Sequence, residues 1–519
     1  MNKKEKGISP LIAVILLVVV AVVIIGLILS WGKNLTNTSV NEVSTFEDNY
    51  GIDTVTMLKA KNFNNSKLVI ENLKSKSAVT ITGYKIISDL TNDLLNTVVT
   101  LPESVTIASG TSGSIDIVQP QETKFDIQLI TDQNMYIDVK NIPNFQKQTF
   151  ISTFGETVYN DYGESVQQTT DGGYVAAGYT ESYGAGNADV YLVKTDSFGN
   201  LDWNYTFGGS DTDRGYSVKQ TFDGGYIIVG STSSYGAGGF DIYLIKTNSS
   251  GTLDWNYTFG GSSADEGYSV QQTSDGGYII TGYTLSYGAG GYDVYLIKTD
   301  SSGTLDWNQE FGSSSFTDFG YSVQQTSDGG YIIAGSTNSY GAGGFDIYLI
   351  KTDSSGTLDW NYTFGGSGSE HAASVQQTTD GGYIFTGFTT TYGAGGTDIW
   401  VLKTDDSGVL DWNQTFGTAI TDQGRSVQQT SDGGYIITGN AYDVAGSDIW
   451  LIKTNSSGSQ LWALDIDSNY NGHSVQQTTD GGYIVTGNAK SSESASCGSG
   501  SCYYDDFLLL KIDTAGNIS

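Results

Sequence analysis

The sequence predicts an all-β chain: a seven-bladed β-propeller behind a small β-sandwich, with one N-terminal hydrophobic transmembrane or pilin-type α-helix. Three observations predict it. The phrase S-V-[QK]-Q-T-x-D-G-G-Y recurs from Ser165, Ser217, Ser269, Ser322, Ser374, Ser426 and Ser474, at spacings of 52, 52, 53, 52, 52 and 48 residues. A fixed period of that length marks repeated supersecondary units that cannot bury their apolar faces alone. Each unit also reads as four short strands joined by turns. Finally, Ile8 to Trp31 carries no charge and consists mostly of Ile, Leu, Val and Ala.

The unit from Ser217 shows the strands in order. Ser217 to Thr221 alternates and ends in the turn Phe222-Asp223-Gly224-Gly225. Tyr226 to Thr232 is a second β-rich run, and Ser234-Tyr235-Gly236-Ala237-Gly238-Gly239 is a loop. Asp241 to Lys246 is apolar on both faces, as a strand between two packed layers should be. A turn at Asn248-Ser249-Ser250-Gly251 leads to the alternating strand Leu253 to Phe259. Proline, which would interrupt pairing, occurs four times in the whole chain.

The ends predict how the ring closes. The last unit stops at Ser519 without its tryptophan strand. Residues 149–155, ahead of the first unit, fit that strand, with Phe150 where the others place Trp203, Trp255, Trp307, Trp360, Trp412 and Trp462. The propeller is therefore expected over 149–519, closed by its N-terminal strand and free of an open edge. Ahead of it come a charged leader (1–7), a hydrophobic helix (8–32), a polar Asn/Thr/Ser-rich stalk (33–50), the β-sandwich with eight alternating segments (51–142) and a linker (143–148).

Asp293-Val294-Tyr295-Leu296-Ile297-Lys298-Thr299-Asp300 followed by Ser302-Gly303-Thr304-Leu305-Asp306-Trp307 resembles the seven-bladed β-propeller repeat family of secreted and surface proteins. The resemblance covers about 70% of the chain. It implies the fold and leaves the function open, because propellers host enzymes, lectins and scaffolds alike.

Twenty-four apolar residues at 1.5 Å each suffice to span a bilayer. One reading is a plain signal anchor, oriented by its lysines with the remainder outside the cell. The other rests on Lys6-Gly7-Ile8-Ser9-Pro10-Leu11-Ile12-Ala13, which resembles the class III signal peptide of archaeal type IV pilin-like proteins. That resemblance implies a prepilin peptidase cutting after Gly7 and a mature chain starting at Ile8, able to join pilus or filament subunits. The chain departs from many bacterial pilins in having Ile12 where they carry a glutamate. A helix followed by a β-sandwich is also similar to archaeal pilins and archaellins. Both readings locate the protein at the cell membrane, single-pass, with its C-terminal domains extracellular.

Net charge is −32 and the pI about 4.1, with lysines spread through the repeats. This disfavours nucleic acid, whose phosphates need a basic face. Cys497 and Cys502 are the two cysteines, and outside the cell a local disulfide is expected between them. Among the Asn-x-Ser/Thr sequons, the stalk sites Asn34 and Asn37 and the loop site Asn64 are the best glycosylation candidates.

The loops that vary between units all fall on one face of a propeller. Four residues before each repeat serine stand Asp161, Asp213, Asp265, Asp318, Glu370 and Asp422, with Tyr470 in the seventh unit. Such carboxylates could ring the channel mouth, binding Ca²⁺ or sugar hydroxyls, or could cap their own loops as turn aspartates do. Tyr183, Tyr235, Tyr287, Tyr340 and Tyr392, in Tyr-Gly-Ala-Gly loops, could stack on sugars or anchor those loops. Asp189, Asp241, Asp293, Asp346, Asp398 and Asp448, heading each third strand, read as structural. His371 and His473, the two histidines, have no evident nucleophile beside them, so a Ser-His-Asp arrangement finds no support. The expectation is a non-enzymatic, pilin-like surface protein. It needs no cofactor and uses its propeller head for adhesion or for binding envelope glycans or proteins. The alternatives are a permanently anchored structural or receptor-like protein and an extracellular carbohydrate-active enzyme.

Overall fold

The computed structural model describes seven strands between Leu58 and Pro143, and residues 149–518 apart from 157–158, 315, 443–445, 467–469, 491–494, 498–499 and 503. Gly7, Ile8, the stretch 8–32, Asn34 and Asn37 lie outside the described residues. Among those described, no helix is long and apolar enough to cross a membrane. The chain divides into two units between Lys147 and Gln148.

The first unit contains two antiparallel sheets. Leu58–Asn64, Lys67–Asn72 and Ser112–Asp116 form one. Val98–Ile107, Val79–Ile87, Lys124–Thr131 and Tyr136–Pro143 form the other, in that spatial order. Seven strands are thus described where eight segments were expected. Asn64 ends the first strand opposite Lys67, rather than standing within a loop.

The second unit is a seven-bladed β-propeller. Each of its seven sheets has four antiparallel strands, and in the first six they follow chain order from the inside out. In blade 2 they are Asp213–Gln220, Tyr226–Thr232, Asp241–Thr247 and Leu253–Phe259. Blade 7 takes Tyr470–Gln477, Tyr483–Lys490 and Asp505–Ile512 from the C-terminal end and Phe150–Phe154 from the N-terminal end. Phe150 pairs with Lys511 as Trp255 pairs with Lys246, so it holds the tryptophan position in register. Successive inner strands touch around the ring, and the seventh touches the first.

Three residues of the repeated phrase, the serine and the two glutamines, have a task at this ring. An innermost strand has no partner on its axial side, which leaves backbone N–H groups that must be satisfied. The phrase serine accepts one such N–H from the next blade, as from Val218 to Ser165 Oγ, in all seven blades at 3.1–3.4 Å. The first glutamine accepts a second, as from Gln220 N to Gln167 Oε1, at 2.5–2.7 Å in six blades. The second glutamine accepts from the turn of the preceding blade at 2.7–2.9 Å. These latches cross the closure as well: Gln168 N donates to Gln476 Oε1 and Thr479 N to Gln168 Oε1.

The blades pack through apolar third strands, buried along their whole length in blades 1 to 5. Each fourth-strand tryptophan lies 5.7–5.9 Å, ring to ring, from the first tyrosine of the next blade's second strand, and Phe150 does the same to Tyr174. The tryptophans are therefore inter-blade packing groups.

A buried lysine stands next to last in each third strand and reaches the aspartate of its own Asp-Gly-Gly turn at 2.8–3.1 Å. Lys351 is 4% exposed and also donates to Thr352 O, with Asp359 3.6 Å away. Burial pushes the Asp328 carboxyl up, but Thr326, Lys351 and the Gly330 N–H outweigh it and hold it at about 2. Asp328→Asn is expected to cost about 1 kcal/mol at neutral pH, a modest figure because solvent screens the exposed aspartate. A depressed carboxylate stabilises above its unfolded value of about 3.9 and loses that contribution as pH falls toward its folded value. The gap between wild type and variant in urea melts should therefore be full at pH 7 and close between about pH 4 and pH 2. A gap that persists in acid would show that the ion pair is not its source.

Candidate functional site

The six carboxylates expected at the channel mouth are buried (0% exposed) and turned into their own loops. Ser182 and Thr180 hydroxyls donate to Asp161, and Thr284 and Ser286 hydroxyls to Asp265. Gly209 N and Ser234 Oγ donate to Asp213, Ser339 Oγ to Asp318, and Thr418 N to Asp422. Glu370 takes Gly366 N, Thr391 N and Thr389 Oγ1. Burial raises the Asp161 and Asp422 carboxyls against these donors. The ring expectation is corrected on this point: these side chains fasten the fourth-to-first connection to the second-to-third loop. Among the described residues, no group of three or more His, Cys, Asp or Glu could hold a metal ion.

The third-strand aspartates act similarly, with Ala237 N donating to Asp241 Oδ2 and Ala289 N to Asp293 Oδ2. Burial, and then a neighbouring carboxylate from the next blade, raise Asp189, Asp241, Asp293 and Asp346.

The rim tyrosines sit as loop anchors with one side open. Tyr183, Tyr235, Tyr287, Tyr340 and Tyr392 are 39–46% exposed, and each packs 5.2–5.8 Å from the third-strand aromatic of its own blade. The hydroxyls of Tyr235, Tyr287, Tyr340 and Tyr392 donate to Gly208, Gly260, Gly312 and Gly365 carbonyls, tying each loop to the preceding connection. Cys497 and Cys502 fall on the paired strands Ala495–Cys497 and Gly500–Cys502, two registers apart.

A different set of residues converges on the axis. In every blade the inner strand bulges: Gly320 pairs with Gly335 and Ser322 with Ala334, leaving Tyr321 unpaired between them. A bulge re-aims the extra side chain and sharpens the local twist. The bulge residues are Glu164, Tyr216, Tyr268, Tyr321, Ala373, Arg425 and His473. They meet around the axis: Tyr216 and Tyr268 rings lie 5.1 Å apart, Tyr268 and Tyr321 5.3 Å, and His473 Nδ1 is 3.0 Å from Glu164 Oε2. Arg425 acts electrostatically on both Tyr321 and Glu164, each two blades away, as groups facing a shared channel must.

Above this ring, toward the varied loops, the aromatic surface continues. Tyr162 stacks on Tyr179 at 4.7 Å, and the Arg214 guanidinium lies over Tyr179 and Phe240 at 5.3 and 6.0 Å. Tyr283 meets Tyr292 and Phe319 edge-on at 5.0 and 5.4 Å. His371 lies between Phe345 and Phe388 at 4.9 and 4.8 Å. Blades 1 to 5 thus supply a half-buried aromatic arc, and blades 6 and 7 put Gln423, Asn440, Asn471 and Asn488 at the equivalent positions, where Asn440 and Asn488 are buried, Asn440 accepting from Gly472 N and Asn488 donating to Asp505.

The charges in the arc are held in place. Burial raises the Glu164 carboxyl, but His473, Arg425 and Arg214 outweigh it and keep it below the ordinary range. Glu266 accepts from Tyr283 and Tyr216 hydroxyls at 2.8 and 3.3 Å. Burial lowers the His371 imidazole below its usual value against the pull of Glu370, which favours its neutral form. Burial and Glu266 raise the Tyr268 and Tyr283 phenols, so these hydroxyls stay protonated. The arrangement is a surface of aromatic rings interspersed with oriented polar and charged groups.

The sequence held a signal for this site. Positions one and three after the six ring carboxylates and Tyr470 read Tyr/Glu, Arg/Tyr, Glu/Tyr, Phe/Tyr, His/Ala, Gln/Arg and Asn/His, within blades otherwise nearly identical.

Residues 223–255, 273–306 and 326–360, in blades 2, 3 and 4, match the family described as "Domain of unknown function (DUF5122) beta-propeller". No curated protein matches the chain. Solved structures similar to it include a protein of unknown function from Dyadobacter fermentans, 12% identical over 70% of this chain and 99% of that one, with a TM-score of 0.39. The Pan2 WD40 domain of Neurospora crassa is 11% identical over 70% of this chain and 96% of its own, with a TM-score of 0.40. YCF48 bound to D1 peptide is 11% identical over 71% and 98%, also at 0.40.

Proposed function

We propose that this is a non-catalytic cell-surface protein whose propeller head binds a glycan chain at the axial mouth. The observation that carries the reading is the mouth itself. Near-identical blades diverge there, with rings from Tyr162 to Phe388 on one side and the carboxamides of Gln423 and Asn471 on the other. Aromatic faces carry negative charge density that attracts the polarised C–H groups of a sugar ring, and carboxamides donate to and accept from its hydroxyls. In this reading Ile8 to Trp31 carries the head at the membrane, and the pilin-like leader is removed after Gly7.

One membrane-fraction preparation tests both halves. Intact mass should give a chain starting at Ile8; a retained Met1 makes the helix a permanent anchor instead. Titrated with hexose and N-acetylhexosamine oligosaccharides, the wild type should bind a subset, and Phe319→Ala or Tyr268→Ala should weaken that binding roughly tenfold, the equivalent of about 1.4 kcal/mol of lost stacking. Tyr340→Ala, on the outer rim, should leave it unchanged. Binding that ignores Phe319 and Tyr268 removes the mouth from the account.

A further inference from the structure

One position breaks the inner ring. The first glutamine of the repeated phrase is Gln167, Gln271, Gln324, Gln376, Gln428 and Gln476, but in blade 2 it is Lys219. An ammonium has no lone pair and cannot accept a hydrogen bond. The N–H of Gln272, which would meet that acceptor, accordingly makes no latch, whereas its six counterparts do. The substitution therefore gives up one ring contact and introduces a donor where an acceptor belongs.

Lys219 differs from the third-strand lysines, each of which reaches an aspartate. It forms no ion pair or hydrogen bond among the described residues. Burial alone lowers its ammonium below the usual lysine value, with no carboxylate acting on it. The flanking ring members Gln167 and Gln271 spend their Oε1 atoms on the next blade, at 2.7 and 2.6 Å, and their Nε2 groups have no partner among the described residues. This point on the axis thus collects a cation, an uncapped backbone N–H and free carboxamide N–H groups. All of them are donors.

We propose that Lys219 and the Gln272 N–H form a binding site for a small oxyanion on the propeller axis, flanked by the carboxamides of Gln167 and Gln271. An oxyanion restores the missing acceptor and supplies the missing counter-charge in one step. The site is independent of the glycan mouth, which lies at the bulges toward the other end of the inner strands. A residue that breaks the local rule of its repeat without a compensating protein contact is expected at a functional position.

The test is thermal melting of the full-length protein in inorganic phosphate, sulfate, acetate or chloride at matched ionic strength, repeated for Lys219→Gln and Lys219→Arg. In wild type, an oxyanion that binds only the folded state should raise Tm with concentration, and Lys219→Arg should keep that response. Lys219→Gln completes the seventh latch, so it should melt higher than wild type in chloride and lose at least tenfold in oxyanion affinity. A preference for phosphate and sulfate over acetate assigns a tetrahedral anion; the reverse assigns a carboxylate. The proposal is overturned if chloride stabilises as strongly as the oxyanions, or if Lys219→Gln responds as wild type does. It is equally overturned if Lys219→Arg, melting cooperatively as wild type does, shows no response to the oxyanions.

Discussion

Deleting residues 149–155 from the full-length chain is expected to lower the propeller's melting temperature by on the order of 10 °C and to broaden its transition. The segment supplies the outer strand of blade 7, paired with the C-terminal strand from Phe507 opposite Phe154 to Lys511 opposite Phe150. Its two phenylalanines join the core that binds blade 7 to blade 1: Phe150 packs on Tyr174 at 5.8 Å, and Phe154 on Phe507 at 6.3 Å. Each contributes on the order of 2 kcal/mol by area. With the lost strand hydrogen bonds, the total is about 5 kcal/mol. The deletion also bares the edge of Asp505–Ile512, an apolar strand, so aggregation on heating should increase. The pair Phe150→Ala with Phe154→Ala keeps the strand and should reproduce only part of the loss. Melting indistinguishable from wild type would mean that the ring closes without this strand.

Gly335→Ala is expected to cost about 3 kcal/mol and to disable the axial mouth as well. A methyl built on Gly335 stands 1.7 Å from the Phe319 carbonyl oxygen and 3.1 Å from the Gly320 Cα. Both neighbours are backbone, so no side chain can swing aside. Relief requires the inner strand of blade 4 to move, and that is the segment whose bulge presents Phe319 and Tyr321 to the channel. Gly329→Ala is the control. Its φ of +87° disfavours a side chain, but nothing lies within 4 Å of the added methyl, so the cost should stay near 1 kcal/mol. Urea melts of the two variants give the contrast directly. Equal effects would mean that the close approach at the bulge is not what requires a glycine there.

The propeller was legible because its signals are local and repeated. The turn Asp-Gly-Gly, the apolar third strand and the tryptophan strand each leave a pattern in sequence, and Phe150 could be matched to the tryptophan position without coordinates. The ring carboxylates were legible as positions, and of the two directions the sequence left open for them the loop-capping one matches their hydrogen bonds. Asp213 and its equivalents lie at the correct end of the blade, yet face Ser234-type hydroxyls rather than the channel. The reason is the bulge. Strict alternation assigns faces by counting in twos, and an extra residue after Gly215 or Gly320 changes the face of everything that follows. The same bulge presents Tyr216, Tyr268 and Tyr321 to the channel, a placement that no regular period in the sequence marks. Lys219 stood in plain view as the one departure from glutamine, but its meaning needed the latch between blades, a contact about fifty residues distant in sequence.

The most direct measurement is the structure of the protein with the oligosaccharide it binds most tightly. The account predicts a sugar seated on the arc of Tyr268, Phe319 and His371, with its hydroxyls toward Gln423 and Asn471. A sugar found instead on the outer loops around Tyr235 to Tyr392, or between blades, would contradict it.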